Sequence, residues 1–348
     1  MKIDRGVWAA LGAAVLFGLS TPLAKLLLTD ISPLLLAGLL YAGSGVGLAI
    51  ILAIRVTMNR SSIVWPRGSS IGWLLGAALF GGALAPYLLM RGLAQTDSAT
   101  ASLALNLEGV FTALLAWFAF DENYDRRVFL GMALIVAGGV ILSVGPAHAT
   151  GVLGPMLIAA ACLAWAIDNN LTRKVSLNDA MLVACTKGLI AGPANVVLAL
   201  RSGLSLPPAL KMLQAGSLGF VGYGLSLTFF VIALRRVGTA RSGAYFSVAP
   251  FLGATLAVIL GAPLTLSLVL AGVMMGIGVW LHLTERHQHL HRHEPLDHAH
   301  SHIHDFHHQH SHGPEWDGSE PHSHAHSHEP LEHAHAHFPD IHHRHKHS

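Results

Sequence analysis

Between residues 287 and 347 histidine recurs in short runs at mostly every second position: HQHLHRH, HAHSHIH, HHQHSHG, HSHAHSH and HAHAH repeat one H-x-H theme. Of the 25 histidines, only His148 and His282 lie outside this stretch. Neutral imidazole is a good ligand for nickel, cobalt, zinc and copper. Side chains at i and i+2 of an extended chain point the same way, so the spacing suits shared ligation. The expected donors are His289, His291, His298, His300, His302, His304, His308, His310, His312, His322, His324, His326, His328, His333, His335 and His337. Thiolate donors are lacking here, which argues against a site dedicated to copper(I) and leaves nickel, cobalt or zinc. With an ordinary pKa near 6.5, these imidazoles should bind metal at neutral pH and release it on acidification. The composition cannot build a core, so residues 286–348 are expected to be disordered without metal.

A second set of candidates lies in apolar surroundings. Glu108 is the leading candidate for a cation or proton site, with Asn106 two residues before it. Positions i and i+2 do not share a helix face, so the two need not serve one ligand. Asp168, Asn169 and Asn170 form a polar cluster, and Lys187 falls at similar depth on the next apolar stretch. An Asp168–Lys187 pair is reasonable, and it competes with a direct ligand role for either residue. Ser20, Thr21 and Pro22 occupy the matching place in the first stretch, where Pro22 removes a helix hydrogen bond. Tyr245, Phe17 and Trp165 are candidates to line a path, against a plainer role in helix packing. Cys162 and Cys185 show no zinc-like spacing and read as small buried hydrophobes.

These residues need a scaffold, and composition supplies it. Apolar residues make up 52% of the chain and charged residues only 11%, too few to cover a soluble core. A net charge of +2 with no basic stripe excludes nucleic acid as a partner. About 20 apolar residues span a bilayer. Ten stretches qualify, roughly 6–28, 32–54, 71–92, 98–120, 127–145, 151–172, 180–200, 215–234, 240–260 and 265–284. Lys2 and Arg5 before the first resemble a signal peptide, but the run is long enough to span and reads as a retained helix. Gly272 and Gly276 in GVMMG are candidates for close helix contact. Lys and Arg gather in alternate connections, among them Arg55, Arg60, Arg67, Arg126, Arg127, Arg173, Lys174, Arg235 and Arg236. That bias predicts both termini in the cytoplasm and a multi-pass protein of the inner (plasma) membrane.

Residues 93–139 align with 234–280 at a constant offset of 141, pairing Leu93 with Leu234, Ala99 with Ala240 and Gly131 with Gly272. Phe17 to Thr21 can be set against Trp165 to Asn169. Five spans per half is odd, so the halves cross in opposite senses. Inverted repeats of this kind carry a solute site at the midplane between the halves. The fold expected is an all-α membrane protein of ten transmembrane helices in two inverted five-helix repeats, 1–146 and 147–285, followed by the tail 286–348.

SLALNLEGVFTALLAWFAFDEN (102–123), RRVFLGMALIVAGGVILS (126–143) and YLLMRGLAQTDSATAS (87–102) resemble EamA-type transporters of the drug/metabolite transporter superfamily. The resemblance implies this fold and a secondary transporter rather than an enzyme, moving small solutes, mostly outward. The family often carries a Glu after its fourth span, matched here by Glu122, but the second half has Gly261-Ala-Pro-Leu in the equivalent place, so Glu122 reads as an interfacial anchor. No nucleotide-binding loop is present, so an active process would draw on an ion gradient. The leading expectation is export of nickel or cobalt, with the tail collecting metal in the cytoplasm. The alternative is export of an amino acid or other small organic metabolite or drug, the tail acting as sensor or buffer. No cofactor is required beyond divalent metal on the tail. The partners are the lipid bilayer and the small solute or metal ion, and a homodimer is left open.

Overall fold

The computed structural model describes residues 5–59, 68–120, 126–144, 152–173, 175, 179–237, 239–284, 288–293, 296–302, 322–328 and 331–336. The apolar runs fold as helices because lipid offers the backbone no hydrogen-bond partner. A short turn joins α1 (Arg5–Leu27) to α2 (Pro33–Asn59). The next rod is α3 (Ser69–Ala77), a π-helical segment Ala78–Leu84, and α4 (Ala85–Ala94). The rod after it breaks at Leu105–Asn106 into α5 (Ser98–Ala104) and α6 (Leu107–Phe120). Then come α7 (Arg126–Val144), α8 (Leu153–Arg173) and α9 (Ala180–Arg201). The same two irregularities recur. A π-helical segment Phe220–Leu225 separates α10 (Ala209–Gly219) from α11 (Ser226–Val237), and Ser247–Val248 breaks α12 (Thr239–Phe246) from α13 (Ala249–Ile259). The last helix is α14 (Leu266–Leu283).

Among the described residues, seven helical stretches are long and apolar enough to cross a membrane, and Ala249–Ile259 and Leu266–Leu281 are shorter apolar helices. The helical part, Met1–Glu285, forms one compact unit. Its contacts follow a pattern. The second rod packs on the seventh (α2 on α9) and the fifth on the tenth (α7 on α14). Helix α1 packs on α11 and the 220–225 segment, while α8 packs on α4 and the 78–84 segment.

The core is mainly leucine and alanine, in two main clusters. One surrounds Leu36, Leu40, Leu89, Met90, Leu93 and Ile158. The other joins Val110, Met132 and Ile135 to Ala257, Ala271 and Met275. Small residues set the crossings. Gly45 of α2 and Gly188 of α9 lie backbone to backbone, leaving no room for a Cβ on either. The GVMMG pair does not serve this purpose. Gly272 and Gly276 meet only side chains at ordinary contact distance, whereas Gly278, two residues on, has the Gly131 carbonyl 2.6 Å from where a Cβ would lie. The close α7–α14 approach is therefore made by Gly278 and, from α7, by Gly138 against Met275 and the Ala271 carbonyl.

Residues 286–348 form a second unit. Its described residues pair as two antiparallel ribbons. These join β1 (Gln288–His293) to β4 (Leu331–Ala336) and β2 (Leu296–His302) to β3 (His322–His328). The H-x-H alternation is a period-two pattern, which is the pattern of a strand. The register sets histidine opposite histidine: His289 faces His335, His291 faces His333, and His298, His300 and His302 face His326, His324 and His322. His304, His308, His310, His312 and His337 lie outside the described residues, as does Glu122.

Candidate functional site

The break at Leu105–Asn106 places Glu108 in the first turn of α6. Its carboxylate is half-buried and accepts a hydrogen bond from Asn169 Nδ2 of α8 at 2.8 Å. The same amide reaches Thr112 Oγ1 at 3.4 Å. Two residues singled out separately in the sequence thus meet between α6 and α8. Asn169 is exposed, and a Cβ on neighbouring Gly109 would have nothing within 4 Å. The Glu108 side of α6 therefore borders open space. Asn106 does not join it. Its side-chain amide donates to Leu103 O at 3.0 Å, a carbonyl that also accepts the Asn106 backbone N–H, and points to Met275 Sδ at 3.8 Å.

Asp168 and Lys187 form a buried ion pair, with Nζ at 2.6 and 2.7 Å from the two carboxylate oxygens. Thr172, one turn on, donates to Asp168 Oδ1 at 2.9 Å. The pair neutralises itself, which is the only economical way to keep two charges at this depth. Asn170 turns to its own helix and donates to Ala166 O.

The π-helical segment 78–84 frees carbonyls from the ordinary ladder, and neighbouring side chains take them up. Tyr41 OH and Trp165 Nε1 donate to Gly81 O at 2.6 and 3.0 Å, and Asn195 Nδ2 donates to Ala83 O at 3.0 Å. Gly81 itself abuts the Asp168 carboxylate, so a Cβ there would overlap it. The second π segment repeats the arrangement: Gly222 abuts the Ser20 side chain. Ser20 Oγ donates to Phe17 O at 2.6 Å, while the buried Thr21 Oγ1 and Tyr223 OH make no hydrogen bond among the described residues.

Between these two contacts lies an aromatic cluster. Phe17 meets Trp165 edge-on at 6.1 Å, Tyr223 edge-on at 5.8 Å and Phe246 at 5.6 Å, and Tyr223 also meets Tyr41 at 5.5 Å. Phe17 and Trp165 thus meet in the centre of the bundle. Phe246 contributes its ring to this cluster, and its neighbour Tyr245 is half-buried on α12. Sequence reasoning missed Tyr41, Gly81, Thr172, Tyr223 and Phe246. The glycine-rich GG and GYG pairs inside spans were the only sequence signal for the π segments. Cys162 and Cys185 are buried, as expected. Among the described residues, no group of three or more His, Cys, Asp or Glu could hold a metal ion. What the site offers is one half-buried carboxylate bonded to a neutral amide, a self-neutralised ion pair, and a set of rings.

The chain matches the EamA-like transporter family twice, over residues 4–144 and 152–284. An uncharacterized transporter of Methanothermobacter thermautotrophicus is 28% identical over 292 residues, covering 79% of this chain and 85% of that protein. The "Probable 4-amino-4-deoxy-L-arabinose-phosphoundecaprenol flippase subunit ArnE" of Pseudomonas paraeruginosa is 39% identical over 115 residues, 31% of this chain and 93% of its own. A solved crystal structure superimposes with a TM-score of 0.60 at 20% identity, covering 80% of this chain and 96% of its own, which speaks to the fold alone.

Proposed function

The chain belongs to the EamA-like transporter family, and from that membership we propose that it exports a small organic solute bearing an amine or other polar head. The Glu108–Asn169 contact carries the reading. It puts a carboxylate whose hydrogen-bond partner among the described residues is a neutral amide next to Gly109, which borders open space. A carboxylate there attracts a cationic group, and aromatic faces add to that attraction. The Asp168–Lys187 pair holds α8 to α9 and leaves no net charge for cargo. The flippase relatives act on a lipid-linked amino sugar by name, which agrees with an amine-bearing, partly apolar solute.

The architecture we infer is ten crossings in two inverted repeats, 1–146 and 147–285, with both termini cytoplasmic in the inner membrane. Support comes from the two family matches and from the recurrence, about 141–142 residues apart, of both π segments and both helix breaks. Expression in a sensitive host tests the solute reading. Uptake and efflux of a panel of labelled amino acids and amine drugs are compared for wild type and Glu108→Gln. Loss of efflux in the variant with normal membrane insertion is the expected result. Undiminished efflux removes Glu108 from the site.

A second reading, export of nickel or cobalt, keeps one observation in its favour: the H-x-H tail, whose ribbons pair histidine with histidine. Metal accumulation by cells expressing the full chain or a chain ending at Glu285 tests it. Unchanged nickel, cobalt and zinc with both forms overturns it.

A further inference from the structure

Where α1, α4 and α13 end and α5 begins, a cleft of about 230 Å³ opens, lined by Pro22, Lys25, Leu26, Asp97, Leu260 and Gly261 among others. It lies away from Glu108, at the level where spans finish. Lys25 is half-buried, and its Nζ donates to Leu93 O at 2.6 Å and Ala94 O at 3.3 Å, the carbonyl end of α4. An ammonium has three protons, so one remains for the cleft. Asp97 Oδ1 caps α5 by accepting from the amides of Ala99 and Thr100, at 3.1 and 2.8 Å. Its second oxygen has no such duty. The two charges attract each other across the gap, yet among the described residues they are not joined in an ion pair. The lining residues Leu26 and Leu260 are apolar and exposed, as are Leu23, Ile259 and Leu264 close to them in the chain.

A cation and an anion held apart in one small cleft fit a ligand with both charges. The volume is below the roughly 300–1,000 Å³ of drug-sized sites, so it suits a head rather than a whole cargo molecule. The apolar rim suits acyl chains. We propose that this cleft binds the headgroup of a lipid carrying a phosphate and a primary amine, with the phosphate on Lys25 and the ammonium on Asp97. A choline head has no N–H to give Asp97, and a glycerol head has no cation. The site therefore discriminates among lipids of similar size. The proposal concerns binding and stands whether or not the transported solute is an amine.

Native mass spectrometry of the full chain tests it, after purification and addition of equal amounts of phosphatidylethanolamine, phosphatidylcholine and phosphatidylglycerol. Wild type should retain phosphatidylethanolamine preferentially. Lys25→Gln keeps a donor for Leu93 O, and Asp97→Asn keeps the cap. Each should weaken that retention about tenfold, the loss of one charge-assisted hydrogen bond. Displacement by free phosphoethanolamine assigns the affinity to the head, and selective retention without displacement assigns it to the whole lipid. Equal retention of the three lipids by wild type overturns the proposal, as does unchanged selectivity in both variants.

Discussion

The Asp168 carboxylate lies against the Lys187 ammonium, the Thr172 hydroxyl and the backbone of Gly81, and each contact bears on what its loss would do. Removing one charge of a buried pair strands the other, at a cost of about 3–5 kcal/mol. Asp168→Asn and Lys187→Met should each lower the melting temperature in detergent sharply, and the double variant should recover most of the loss. If the single variants melt like wild type, the pair holds nothing. Asp179 behaves differently because it lies at the membrane edge. Burial pushes its carboxyl up, but the Arg55 guanidinium at 2.6 Å and the amides of Leu182 and Met181 outweigh that, and its pKa falls below the ordinary value. A depressed carboxylate stabilises the fold above its unfolded pKa, about 3.9, and that stability is lost as pH falls through the lower folded value. The contribution is at most about 1 kcal/mol for so exposed a pair. Thermal unfolding between pH 6 and pH 3 should show wild type losing an increment below about pH 4 that Asp179→Asn lacks throughout. At this scale the sequence told much. Like depth on neighbouring stretches is enough to suggest the Asp168–Lys187 pair. Glu108 and Asn169 are 61 positions apart, and no spacing rule brings them together.

Among the elements, the glycines divide into those that fill a crossing and those that border space. A Cβ on Gly81 would overlap the Asp168 carboxylate, and one on Gly222 would overlap Ser20. Gly81→Ala should therefore destabilise by about 1–3 kcal/mol, as overpacking does. Gly109→Ala meets nothing and should be neutral, or stabilising by about 0.5–1 kcal/mol through the helix backbone. Fluorescence-detected gel filtration after heating separates the two. A Gly109 variant that melts early would mean that α6 is closely packed on that side. The helices themselves were readable from apolar length. Their irregularities were not, because a π segment and a helix break leave hydropathy unchanged. They are decided by which neighbours can satisfy the freed carbonyls, as Tyr41, Trp165 and Asn195 do around Gly81 and Ala83.

At the scale of the whole molecule, the helical unit and the tail separate at Glu285. A chain ending there should keep the melting temperature of the full protein. The full chain should bind nickel at pH 7.5 and release it below about pH 6, where imidazole protonates, while the shortened chain binds little at either pH. Isothermal titration reads both. Equal nickel binding by the two forms would place the metal in the helical unit. The 141-residue offset read in the sequence agrees with the recurrence of the π segments and helix breaks, and the two halves differ at one telling place. Ser20 stands at the place of Asp168, so one half carries a neutral hydroxyl where the other carries a charge. The π segments add a last point. Each winds the chain wider than an α-helix for one turn, which sets the rotational phase of α4 against α3 and of α11 against α10. Because a π turn closes i→i+5 where an α turn closes i→i+4, each segment takes up one extra residue, and deleting one residue from Ala78–Leu84 would restore plain α-helix with Arg91 still on its present face. A deletion in the plain α-helix beyond it has no such slack and would swing everything after it by about 100°, so that one turn works as the indexing notch of the bundle.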